Sequence, residues 1–216
     1  MQHEGRKALF ITFEGPEGAG KSSQADALAD HLEKAGYTCI RTREPGGTLL
    51  AEKLRALVKG DLGTEHLHSQ TELLLMEAAR AQHVHELILP ALAEGKCVIC
   101  DRFYDSTTAY QGGARGLDAE IIERLNNFAT SAKKPDLTFL MDLPPERGFE
   151  RIRTREMKDG PYDRFEMEKL DFHRRVRQSF LDIAKKEPER VRVIDADRPR
   201  EEIASEIEQI VDEFIH

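Results

Sequence analysis

The sequence has no long hydrophobic run. Its apolar stretches last only a handful of residues, far short of the roughly 20 that a membrane-spanning helix needs, so no membrane partner is expected. It also has no excess of positive charge: Lys and Arg number 32 against 40 Asp and Glu, a net charge of −8. That balance excludes a protein that coats nucleic acid or an anionic membrane through bulk electrostatics. A small anionic ligand stays open, because local basic clusters can override the mean. Cysteine is scarce, limited to Cys39, Cys97 and Cys100, which fits a reducing compartment and no disulfide framework. Cys97-Val98-Ile99-Cys100 spells C-x-x-C, but it reads as a buried strand, where residues three apart face opposite sides, and this argues against a redox pair. Met1–Lys7 lacks the apolar stretch of a secretory signal, which makes the cytoplasm the expected location.

What is present is an ordinary globular composition, 39% hydrophobic over 216 residues, enough to bury a core without a metal or disulfide staple. There is no internal repeat and no Pro/Gly/Ser-rich linker, so residues 1–216 are expected to form a single domain. Short β-branched runs at Ala8–Glu14, Tyr37–Arg43, Lys96–Asp101, Leu137–Asp142 and Val191–Asp195 predict strands. Amphipathic segments between them, at Ser22–Ala35, Leu49–Val58, Gln70–Ala93, Asp118–Ala129, Arg164–Lys186 and Arg200–Ile215, predict helices. This alternation predicts an α/β fold, a parallel sheet flanked by helices on both faces. One stretch breaks the pattern: Arg151–Arg164 is highly charged and interrupted by Gly160-Pro161, and reads as a mobile basic loop joining two helices.

Gly15-Pro16-Glu17-Gly18-Ala19-Gly20-Lys21-Ser22 satisfies G-x-x-x-x-G-K-[ST] in full, with a buried strand before it and a helix through Ser22-Ser23 after it. Glycines let the backbone curl until successive N–H groups point at phosphate oxygens, and the helix start adds its positive dipole end. In such a loop Lys21 serves the β- and γ-phosphates of ATP, and the Ser22 hydroxyl is placed to ligate Mg²⁺. Asp101, at the carboxyl end of the apolar run Lys96–Cys100, is the candidate second oxygen ligand; the alternative is a turn or cap residue.

No Asn-Lys-x-Asp guanine signature occurs, leaving a small-molecule kinase or a nucleotide-dependent switch. The arginines favour the kinase, since holding two mutually repelling anions needs two sets of cations. Arg43, Arg80 and Arg102 stand near element ends that converge on the loop, while Arg151, Arg153 and Arg155 supply a separate set. On a helix Arg151 and Arg155 share a face and Arg153 does not.

At these residues the chain resembles the thymidylate kinases: Thr42-Arg43-Glu44-Pro45-Gly46-Gly47-Thr48, then Asp101-Arg102-Phe103 with Ser106 and Ala109-Tyr110-Gln111-Gly112. The resemblance runs nearly end to end. It implies a P-loop NTPase fold of the nucleoside monophosphate kinase type, with a five-stranded parallel sheet, a basic lid at about 151–164 and a homodimer. It also implies the reaction ATP + dTMP → ADP + dTDP with Mg²⁺. By motif, Arg102 is expected to contact the acceptor phosphate, Glu17 to stand near the acceptor's sugar, and Arg43 and Pro45 to line its site. Arg80 is expected at the thymine edge, with Ser106, Thr107, Tyr110 and Gln111 around sugar and base and the tyrosine edge obstructing a 2′-hydroxyl. Arg153 or Arg155 is expected to reach the transferred group, as in the bacterial subclass, whose lid rather than P-loop carries arginine. One departure is Met76, which stands where family members commonly carry Phe. A thioether covers a ring face but gives no aromatic stack.

Weaker signals are the pairs His66, His68 and His83, His85. Helical positions two apart diverge, so His83 and His85 are not expected to chelate together. The leucine-rich Leu73-Leu74-Leu75 segment suggests core packing with apolar surface to spare for a dimer seam.

Overall fold

The computed structural model describes residues 8–60, 63–159 and 164–215, apart from the side chains of 155–159. Five strands, β1 (Phe10–Glu14), β2 (Cys39–Arg43), β3 (Cys97–Asp101), β4 (Leu137–Asp142) and β5 (Val191–Asp195), form one sheet in the order β2-β3-β1-β4-β5. Every neighbouring pair is parallel. The central strand β1 is buried along its whole length, as its unbroken apolar run demands in a sheet covered on both faces.

Alternation along the strands sorts the core. Ile11, Phe13 and Cys97 face α1 (Lys21–Lys34) and α9 (Arg200–Ile215), meeting Leu28, Leu32, Ile203 and Ile207. Phe10, Val98 and Cys100 face the other way, onto Val84, Ile88 and Phe103. Cys97 and Cys100 therefore lie on opposite sides of the sheet, as strand geometry requires.

The remaining helices are α2 (Leu49–Lys59), α3 (Ser69–His83), α4 (Leu89–Ala93), α5 (Tyr104–Thr107), α6 (Ala119–Thr130), α7 (Pro145–Asp159) and α8 (Leu170–Lys186). The helix expected over Gln70–Ala93 is continuous, but it widens into a π turn at Val84–Ile88. Pro90, four residues beyond Glu86, has no N–H to donate to it, and the widened turn absorbs that gap.

Two expectations are corrected, and one helical segment had no sequence expectation. Arg151–Arg164 is not a loop from its start: α7 runs through Asp159. Its Glu, Arg, Met and Lys residues are all good helix formers, and the breaker Gly160-Pro161 lies outside the described residues. The next helix begins at Leu170 rather than Arg164, because Arg164–Lys169 turns inward and buries Phe165 and Glu166. Finally, Tyr104–Ala114 is helical, closing in a π turn over Thr108–Ala114 packed against α8. Its β-branched threonines and paired glycines carry no helical signal, and the burial of Ala109, Tyr110 and Gln111 holds it.

Candidate active site

The carboxyl ends of β1, β2 and β3 deliver Glu14, Arg43 and Asp101 to one edge of the sheet, the edge where open parallel sheets bind ligands. Residues 15–20 curl there between β1 and α1. Gly15 and Gly18 have φ of 134° and 75°. A Cβ on Gly15 would sit 2.4 Å from the Met141 carbonyl oxygen, and one on Gly18 would sit 2.5 Å from that of Gly148 in α7. No side chain caps the start of α1 at Gly20, so its first-turn N–H groups are open to an anion. Lys21 folds back so that Nζ donates to the Pro16 carbonyl at 2.8 Å. Burial, with Arg102 nearby, pushes its ammonium down from 10.5 to about 8, although Glu17 and Asp101 pull the other way.

Beside the loop, the Ser22 hydroxyl donates directly to the Asp101 carboxylate. A hydroxyl and a carboxylate at the phosphate end of the loop form the oxygen donor set that Mg²⁺ takes when water and phosphate complete its shell, so the residues fit the ion. Among the described residues no group of three His, Cys, Asp or Glu could hold a metal by itself. His66 and His68 stack edge to face, 5.3 Å apart, ahead of α3. His83 is buried between Glu44 and Thr42, while His85 is exposed against Ser131.

Opposite the loop, Arg102 holds a left-handed backbone with φ 72°. Its Nη1 donates to the Gly15 carbonyl at 3.0 Å and to Ser106 Oγ at 3.1 Å. Its Nη2 donates to Glu17 Oε1 at 2.8 Å and to the Tyr110 hydroxyl at 3.2 Å. Burial favours a protonated Glu17, but Arg102 and Lys21 outweigh it and hold the carboxyl well below the usual range. A residue not expected from sequence fixes this arrangement. Glu14 accepts from Phe103 N at 2.7 Å, Ser106 N at 3.2 Å and Ser106 Oγ at 2.6 Å, and so clamps the turn that begins with Arg102. Burial, with Asp105 nearby, pushes the Glu14 carboxyl up from 4.5 to about 8.

The cleft between these groups measures about 330 Å³ and brings Glu17, Lys21, Ser22, Arg43, Pro45, Met76, Arg80, Asp101, Arg102, Ser106, Thr107, Tyr110 and Gln111 together. Gly15, Pro16, Gly18, Ala19, Gly20 and Ser23 belong to the loop and first helical turn behind it. Arg43 is half-exposed and paired with Glu52 at 3.1 Å. Arg80 is buried, and most of its guanidinium is taken by protein: Glu44 at 2.8 Å, Glu77 at 2.5 Å, Thr107 at 2.9 Å, Asn126 at 3.1 Å and the Phe103 carbonyl at 3.1 Å.

The cleft also recruits Arg55, Lys59, Phe165 and Glu166, for which the sequence reading proposed no role. The spacing of Arg55 and Lys59, four apart on one helix face, was an available signal. Of the arginines expected in a lid, Arg151 turns toward the P-loop side, donating to the Ala196 carbonyl at 2.9 Å and to Asp197 at 3.2 Å. Arg153 is exposed, and the side chain of Arg155 lies outside the described residues.

The thymidylate kinase family model matches residues 13–207. A thymidylate kinase of Desulfosudis oleivorans is 53% identical over 199 residues, covering 91% of this chain and 92% of that protein. One from Desulfovibrio desulfuricans is 48% identical over 210 residues, with 96% of each covered. The crystal structure of a thymidylate kinase from Ehrlichia chaffeensis is similar with a TM-score of 0.76 at 36% identity, covering 95% of this chain and 99% of that one.

Proposed function

The chain belongs to the thymidylate kinase family, its reaction is the transfer of the γ-phosphoryl group of ATP to dTMP to give dTDP, and we propose that the cleft residues divide the work as follows. The amides of Gly15–Ser22 and the Lys21 ammonium grip the β- and γ-phosphates of ATP. Ser22 and Asp101 would hold Mg²⁺, which when bound neutralises charge on those phosphates. Arg102 and Arg43 draw the dTMP phosphate into line with the γ-phosphorus. An oxygen of that phosphate forms the new P–O bond as the bond to ADP breaks. No general base is needed, since a phosphate monoester is already largely dianionic near pH 7. Catalysis is then mostly positioning and charge compensation.

Arg102 donates to Glu17 and Tyr110, so a phosphate in the cleft meets a guanidinium already aimed and desolvated. Glu17 stays ionised beside it and accepts from the Tyr110 hydroxyl at 3.0 Å, which places a carboxylate and a phenol at the sugar. The tyrosine edge obstructs a 2′-hydroxyl. Pro45, Met76, Arg80, Ser106, Thr107 and Gln111 enclose the base and sugar. Arg153 and Arg155, carried on the helix leading into the lid, close over the transferred group and exclude water.

The chain works as one P-loop domain, in the cytoplasm and without nucleic acid. Among the described residues no helix is long and apolar enough to cross a membrane. It pairs as a homodimer: α3 packs between α2 and α6, and these neighbours expose Leu57, Leu74 and Phe128, apolar surface that a second copy would cover.

One observation carries this reading: a phosphate loop and an opposed arginine, held 2.8 Å from the loop's own carboxylate, share a single cleft. The test is ADP release across dTMP, dUMP, dAMP, dGMP, dCMP and UMP. dTMP should lead the panel, with dUMP poorer by the roughly 10- to 200-fold that one methyl group allows. ADP release that no acceptor stimulates would refute it.

A further inference from the structure

Glu72 stands in the first turn of α3, and its side chain is wholly buried. A buried carboxylate needs partners, and this one has three. Oε1 accepts from Gln111 Nε2 at 2.7 Å and from Arg115 Nε at 3.3 Å. Oε2 accepts from Arg115 Nη2 at 3.2 Å and Arg164 Nη2 at 2.5 Å. Both oxygens face N–H donors, the guanidiniums of Arg115 and Arg164 among them, so each serves as an acceptor. That distinguishes the two ends of the Gln111 amide, which are otherwise nearly equal in shape. The nitrogen must face Glu72, and the oxygen turns away from it in a residue that lines the cleft.

We propose that Glu72 is a positioning residue that sets the polarity of base recognition, by holding Gln111 so that the cleft meets its carbonyl oxygen as an acceptor. An acceptor there matches a base that offers N3–H, as thymine and uracil do, and opposes cytosine, whose N3 carries a lone pair. This rests on the functional reading above and adds a determinant to it: selection at N3 is enforced by a carboxylate that never touches the nucleotide.

The experiment measures kcat/KM for dTMP, dUMP and dCMP with the wild type and with Glu72→Gln and Glu72→Asp, each checked for a cooperative melt. The glutamine can donate or accept, which frees the Gln111 amide to turn over. The aspartate keeps the charge facing Arg115 and Arg164 but retracts it from Gln111, and carries the test if the neutral variant does not fold. The dTMP:dCMP ratio should fall by roughly tenfold or more, mainly through a higher KM for dTMP. The dTMP:dUMP ratio should stay put, because both bases offer N3–H. Arg164→Gln, which leaves the Glu72–Gln111 bond intact, should leave both ratios unchanged.

A wild type that ignores dTMP overturns the functional reading and this assignment with it. A wild type that phosphorylates dTMP, with folded Glu72 variants keeping its dTMP:dCMP ratio, overturns the assignment alone. So does an Arg164→Gln enzyme that shifts the ratio as far as they do.

Discussion

Lys21→Met should make this protein more stable and nearly inactive. Lys21 is 7% exposed, and the descent of its ammonium from 10.5 to about 8 amounts to about 3 kcal/mol against the charged form. Methionine removes that term, keeps most of the stem's packing, and forfeits one hydrogen bond to the Pro16 carbonyl, worth about 1 kcal/mol. The net gain is about 2 kcal/mol, or roughly 4–8 °C in Tm for a chain of this size. The sign with pH follows from proton counting: between pH 8 and 10.5 the unfolded wild type binds more protons than the folded one, so its stability rises with pH across that window. The variant's advantage should therefore be full at pH 7 and fade as pH climbs toward 10.5. Calorimetry without nucleotide or phosphate, on both proteins from pH 7 to 10.5, reads this difference directly, and other titrating groups largely cancel. Meanwhile kcat/KM should drop by roughly 10²–10⁴. A variant that melts at or below the wild type, or a gap indifferent to pH, would refute the argument that the loop holds a destabilising charge for its ligand's benefit.

Glu14→Gln should keep activity within about tenfold, since the amide reproduces the acceptor for Phe103 and Ser106, whereas Glu14→Ala frees the Arg102 turn and should lose about 10²-fold or more. Because the folded pKa of Glu14 is raised from 4.5 to about 8, the wild type should lose stability relative to Glu14→Gln as pH rises through that window; parallel melting curves would count against it. Arg153→Ala should lower kcat more than it raises the KM for dTMP, and the reverse split in steady-state kinetics would remove Arg153 from the transfer step. Leu74→Glu combined with Phe128→Glu should turn a dimer into a folded monomer by light scattering, and an unchanged mass would move the interface elsewhere.

Much of this was legible in the sequence because it is local. The phosphate loop needs only a strand, a glycine spacing and a helix start, all adjacent in the chain. Asp101 follows from its place at the end of an apolar run, and the five strands lie within two residues of their expected bounds. What escaped depends on distance along the chain. Glu14 reads as the last residue of a strand until Phe103 and Ser106 come round to it, and Glu72 as a solvated helical acid until Gln111, Arg115 and Arg164 do. The helix from Arg151 to Asp159 escaped for another reason: a dense run of charges suits an exposed helix and a loop equally well, and packing of α7 onto the P-loop decides it. Arg80 shows the converse. Its motif points to the base, yet the structure wraps it in protein partners, so any base contact must use what remains of its fork.

The contact between Gly18 and Gly148 has a mechanical consequence. At that point α7 is seated on the phosphate loop main chain to main chain, and a Cβ on Gly148 would sit 2.4 Å from the Glu17 carbonyl oxygen. A methyl group at either residue would act as a shim, prying the arm that bears Arg153 away from the grip on the nucleotide. Because that thrust passes mainly through main-chain contact, with the Arg151 guanidinium donating to the Gly18 carbonyl beside it, the gearing between grip and arm should weaken only slightly in concentrated salt.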